Sequence, residues 1–215
     1  KITGIFIGII ILSIIFGSAM AQIRVPGVVV GDSFKYTYTL DMNVGGLSPS
    51  SFPDIFQALI DQAKSIDWVQ INITKVSGTT VTAQMLMQFE NGTQQSDTGT
   101  TDVSTGQGNL TMFLIAANLN AKDQIYQGND DAIINETITR TYLSGARQVN
   151  HEEITMNYSV TPEELEDFGI TGPLQQTNSQ DTYWDQQSGS LVELSYKMVT
   201  RSDLVNADIS VNVAL

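Results

Sequence analysis

The 215-residue sequence has no cysteine, a single histidine (His151), and 10 Lys and Arg against 23 Asp and Glu. Without cysteine there is no disulfide scaffold, thiol catalysis, iron–sulfur cluster or cysteine-based zinc site. With one histidine, any site needing two imidazoles is excluded. The formal net charge of −13 leaves no basic patch for phosphate contacts, so no nucleic-acid partner is expected. Charged residues are 15% of the chain against ~25% in ordinary globular domains, so Ser, Thr, Asn and Gln supply much of the wet surface.

One long hydrophobic run is present. Ile2 to Ala21 carries no charge, follows Lys1 and ends in Ala19-Met20-Ala21. A basic flank, an apolar stretch and an A-x-A ending make a secretory signal peptide cleaved after Ala21. The same run is about the ~20 residues that cross a bilayer, so the alternatives are an uncleaved anchor or the filament helix of a pilin-like subunit. Each reading puts residues 22–215 outside the cytoplasm as one extracytoplasmic domain, extracellular or at the cell surface. Membrane contact is then confined to residues 1–21.

The remainder reads as strands separated by turns. Val81, Ala83, Met85, Met87 and Phe89 alternate with more polar neighbours, and Val69, Ile71 and Ile73 line one face upstream. Ser77-Gly78 turns between these two strands, and Asn91-Gly92 is a hairpin signal because both residues tolerate positive φ. The pattern recurs at Ile134, Ile138 and Tyr142, then at Ile154, Met156, Tyr158 and Val160 after Ser144-Gly145. It returns at Val192, Leu194, Tyr196 and Met198 after Gln187-Ser188-Gly189, and at Val205 to Val213. Such one-sided strands belong to antiparallel sheets.

Two helices are expected as well. Phe52, Ile55, Phe56, Leu59, Ile60 and Ala63 form an amphipathic stripe over Ser51 to Ser65. Thr161-Pro162-Glu163-Glu164 up to Gly169 has the cap, proline, acids and glycine stop of a short helix. Leu110 to Leu119 reads as either a buried helix or a buried strand, and Ser96 to Gly108 as a loop. The expected fold is therefore mainly β: a β-sandwich or curved half-barrel with one amphipathic helix, one short helix and an N-terminal hydrophobic helix.

No constellation points to catalysis, a metal or a cofactor. His151-Glu152-Glu153 would put His151 and Glu153 on one strand face and Glu152 on the other. It lacks the H-E-x-x-H spacing of a helical zinc site and reads as an exposed polar stretch at a bulge. Gly128-Asn129-Asp130-Asp131 lacks the calcium-loop pattern, and Gly106-Gln107-Gly108 lacks the parts of a phosphate loop. No Ser sits in a G-x-S-x-G context.

Glycosylation sequons are the more specific signal. N-x-[ST] occurs at Asn72, Asn91, Asn109, Asn135 and Asn157, whereas random placement of 13 Asn and 40 Ser and Thr gives about 2.4. Strand alternation and turn position predict that all five face solvent, as N-linked glycans require. The chain termini, Ile23 to Val30 and Leu204 to Leu215, read as edge strands, either ordinary outer strands of the sheet or candidates for strand donation and self-association between subunits.

Val28 to Tyr36 (V-x-x-G-D-x-F-x-Y), the repeated hairpins and Tyr183 to Glu193 (Y-W-D-Q-Q-S-G-S-L-V-E) resemble secreted or surface archaeal β-proteins. The last motif is also similar to a strand pair of lipoprotein-carrier (LolA-like) half-barrels. That resemblance implies a fold and carries over no functional residue. The leading expectation is an exported, glycosylated, non-enzymatic surface protein with a structural or interaction role, such as a self-assembling envelope or filament subunit. The alternatives are a carrier holding an apolar ligand in a half-barrel and a pilin-like subunit.

Overall fold

A computed structural model describes residues 23–45, 65–142, 145–160, 174–201 and 206–215. The hydrophobic segment 1–21, the amphipathic stripe at 51–64 and the short helix from Thr161 to Gly169 lie outside these residues. Among the described residues there is no helix.

Ten strands follow one another: β1 (Ser33–Gly45), β2 (Ile66–Ser77), β3 (Thr80–Phe89), β4 (Gln94–Asp102), β5 (Gln107–Gly108), β6 (Glu136–Tyr142), β7 (Gly145–Val160), β8 (Leu174–Asp185), β9 (Leu191–Arg201) and β10 (Asn206–Ala214). They form one antiparallel sheet in the order β5-β4-β3-β2-β1-β10-β9-β8-β7-β6. The mainly β, antiparallel expectation holds. Among the described residues the architecture is a single open sheet and not two packed ones, because β5 and β6 end it on opposite sides.

Three corrections follow. The C-terminal segment is no edge: β10 is paired on both sides, Tyr38 with Val213 on β1 and Val213 with Leu194 on β9. Its alternating apolar residues suit a central strand, and no free backbone row remains there for strand donation. Ile23 to Val30 forms no strand, consistent with the missing N–H of Pro26; Val25 O instead accepts from Ala117 N. Most of the Ser96–Gly108 stretch is strand, with β4 paired to β3 from Gln88↔Gln94 to Thr80↔Asp102. Its Thr-rich composition suits a wet sheet rim and hides the strand from hydrophobic periodicity.

The sheet has unlike faces, because cross-strand partners point the same way. On the outer face lie Lys35, Thr37, Gln70, Asn72, Ser179, Ser195 and Lys197, related by the pairs Lys35↔Gln70, Ser33↔Asn72 and Ser179↔Lys197. The inner face carries Tyr36, Ile71, Ile73, Val81, Ala83, Leu194 and Trp184, which cluster with Leu110, Leu114, Ile115, Leu119, Ile125 and Ile134. Those last six belong to the 103–135 connection between β4 and β6, which packs over one end of the inner face and completes the core.

Leu110–Leu119 is neither helix nor strand. A single turn closes through Leu114 N to Leu110 O, and an isolated bridge joins Leu114 to Ser190. Burial without regular structure is possible because this stretch borrows partners from the β8–β9 turn. Ile115 N donates to Gly189 O (2.9 Å), Leu191 N to Phe113 O (2.8 Å) and Asn118 N to Gln186 O (2.7 Å), which satisfies the backbone groups that a buried loop would otherwise orphan. Gly189 is required in that turn: its φ is +71°, and a Cβ would run into Ile115 O.

Candidate functional site

Three places on the sheet carry chemistry or unpartnered surface. The first is the half of the inner face that the 103–135 connection leaves uncovered. Pairing continues the apolar rows there: Val69↔Met87 on β2–β3, and Tyr38↔Val213 across β1–β10. On β7–β9 the rows are Ile154, Gln180 and Tyr196, then Met156, Asn178 and Met198. Tyr196, Met198, Met87 and Leu40 are half-buried, while Met156 (46%) and Tyr158 (45%) are exposed. Single exposed apolar residues are ordinary; here they extend the same rows that form the core.

The second place is on the outer face of β6–β8. His151 was expected to be exposed at a bulge, but it is 8% exposed in a regular stretch of β7. Its Nδ1 lies 3.2 Å from Glu136 Oε1 and its Nε2 2.9 Å from Asp181 Oδ1. Both contacts are hydrogen bonds when each ring nitrogen bears a proton, and two carboxylates then flank one imidazolium. Its cross-strand partner Tyr183 stacks on the ring with centroids 4.3 Å apart. Arg140 sits 4.1 Å over the other aromatic, Tyr183, and pairs with Glu193 at 3.2 Å. The cluster staples three strands together, and both nitrogens of His151 are spent in doing so. It is a cross-link with no free base or ligand.

The third place is on the inner face of the same strand. Glu152, also 8% exposed, points the opposite way from His151 into a cavity of about 250 Å³. Thr111, Met112, Ile125, Tyr126, Gln180, Thr182 and Trp184 complete the lining. Burial pushes the Glu152 carboxyl up to about 7, opposed in part by His151, and helps push the neighbouring Tyr126 hydroxyl up to about 12. The sequence placed Glu152 on the correct face. Its burial was not legible there, because the covering residues come from a connection 26 to 41 positions earlier with no periodic signature.

Oxygen-rich turns of the connection are committed to local bonds. Asp123 Oδ2 accepts from Asn120 N, and Asp130 Oδ1 from Gln124 Nε2, so these acids face separate turns.

The sequon asparagines share one feature. Asn91, Asn109, Asn135 and Asn157 are exposed, and Asn72 is half-buried on the outer face. In all five the amide oxygen is engaged. Asn72 Oδ1 accepts from Ser33 and Gln70, Asn91 from Thr93, Asn109 from Thr100 N, Asn135 from Glu153 N and Asn157 from Thr177. Among the described residues none of the five donates through Nδ2, the atom that bears an N-linked glycan. Two asparagines outside sequons do so, Asn120 to Asn118 O and Asn150 to Leu119 O.

No protein-family model matches this chain, and no curated protein matches it.

Proposed function

We propose that the chain is an exported, N-glycosylated surface or extracellular binding protein that holds an apolar ligand against the half of its inner face left uncovered among the described residues, the sheet acting as a half-barrel trough. One observation carries this reading: Met156 and Tyr158 continue the core rows into solvent while the outer face is polar. Apolar surface continuous with a core is where a hydrophobic partner gains most from leaving water. The resemblance of Tyr183 to Glu193 to carrier half-barrels points the same way. Export is supported by the signal-like run Ile2 to Ala21 and by five sequons with uncommitted Nδ2 atoms.

Titrating the full chain with a fluorescent long-chain fatty acid tests the ligand reading. Saturable binding that weakens at least tenfold in Met156→Asp and Tyr158→Asp, with unchanged circular dichroism, is expected. Absence of saturable binding overturns it. Peptide mass spectrometry of material from the native host reads the five sequons and the mature N-terminus together.

A second reading, assembly of copies into a filament or envelope, is favoured by the sheet rims. Glu136–Tyr142 of β6, and Gln94–Gly99 of β4 beyond the short β5, have no outer strand partner among the described residues. Unpaired rims are templates for adding a strand. Light scattering on the full chain and on Thr139→Pro, which blocks the β6 rim, separates the readings: assembly predicts multimers that Pro dissolves.

A further inference from the structure

We propose that the cavity beneath the 103–135 connection is a binding site for a small organic ammonium ion, with Glu152 as its counter-ion. Three of the hydrogen-bond donors in the wall are already used within the protein. Trp184 Nε1 donates to Met112 O (3.0 Å), Tyr126 OH to Thr111 O (3.1 Å) and Gln180 Nε2 to Thr182 Oγ1 (3.0 Å). These donors of the lining are therefore turned into the protein. Glu152 has no hydrogen-bond or ion-pair partner among the described residues, and Gln180 still offers its amide oxygen. The Thr111 and Thr182 hydroxyls keep donors of their own, Thr182 Oγ1 being the acceptor from Gln180, so the group that selects a ligand is the single charged one, the Glu152 carboxyl, which favours a positive donor.

Size and polarity narrow the class further. A volume of about 250 Å³ corresponds to roughly eight waters at about 30 Å³ each. It takes an amine of about that many non-hydrogen atoms. Trp184, Ile125 and Met112 give the remaining wall an apolar character suited to a hydrocarbon or aryl body, with Met112, 42% exposed, on the solvent side. A carboxylate largely withdrawn from water and without a paired charge is costly, and a cation beside it offsets part of that cost. Burial raises the Glu152 carboxyl, and a cation beside it would draw it back toward its ordinary range. His151, its neighbour in sequence, does not serve, because it lies on the opposite face between Glu136 and Asp181. This site does not depend on the apolar-ligand reading: it lies under the covered end of the inner face and is too small for a long acyl chain.

The test uses benzylammonium, which has eight non-hydrogen atoms, with benzyl alcohol as its neutral counterpart. Both are titrated into the full chain by calorimetry and by the NMR shift of the Trp184 indole N–H. One saturable site that prefers the ammonium at least tenfold, and loses that preference in Glu152→Gln, is expected. Equal affinity for the two probes in the unaltered chain, or no binding of either, overturns the proposal whether or not Glu152→Gln folds. Retention of the preference in a folded Glu152→Gln chain overturns it as well. Neither probe reports on the uncovered half of the face, so failure here leaves the fatty-acid titration to decide the other reading.

Discussion

His151 and Glu152 are adjacent in the chain, equally buried and both titratable, yet they stand on opposite faces of β7 in opposite circumstances. On the outer face His151 has a carboxylate on each nitrogen and a tyrosine on its ring. On the inner face Glu152 has a cavity and no partner among the described residues. A buried ionisable group that is fully engaged reads as architecture. One left unengaged beside a cavity reads as a place for something else.

The covered inner face gives the largest contrast with the outer cluster. Leu114→Ala, in the middle of the connection, is expected to destabilise the fold by about 2–5 kcal/mol in urea unfolding, because it leaves a cavity where every neighbour is core. A loss below about 1 kcal/mol would mean that the connection is not the lid of the core.

Glu152→Gln acts next, and in the opposite direction. The folded carboxyl titrates near 7 against an ordinary 4.5, so between these values the folded chain holds a proton that the unfolded chain has lost. Stability therefore falls as pH rises from about 4.5 to 7 and is flat beyond. The amide does not titrate. The variant should match the parent near pH 4 and exceed it at pH 8 by up to about 3 kcal/mol, less to the extent that water reaches the carboxyl. Parallel stability–pH curves for the two chains would remove the distinction between the faces.

Removing His151 should cost less, because Glu136 and Asp181 are half exposed, 53% and 42% by side chain, and water takes over part of its role. His151→Gln is expected to lose about 1 kcal/mol, and a double-mutant cycle with Asp181→Asn to show coupling of about 0.5–1 kcal/mol. Zero coupling would leave the staple without energetic content. The smallest effect belongs to the uncovered rows: Tyr158→Ser should change stability by no more than about 0.5 kcal/mol, while it weakens the fatty-acid binding proposed above.

Much of this was legible in the sequence because local rules governed it. The alternation at Val81 to Phe89 and Leu194 to Met198 gave strands, and the glycines at 78, 92 and 189 marked turns that the backbone confirms with positive φ. What escaped was non-local. Nothing in Tyr38 announces Val213 as its partner, and Leu110 to Leu119 borrows backbone partners from a distant turn. The Glu152 cavity exists only because Met112 and Tyr126 arrive above β7. In β4 the strand was hidden by polarity, since Gly99 and Thr101 are the residues it turns inward.

The pairing of β1 with β10 also has a consequence for when the chain folds. The middle of the sheet joins the first strand to the last, so every residue between must be available before the centre closes. A nascent chain has the five strands from β1 to β5 well before β10 exists, and its β1 rim stays bare until then. Sequence-distant pairing of this kind slows folding and exposes strand rims in the interim. The sheet is therefore sealed from its middle, by β10, and not by the addition of a strand at either rim.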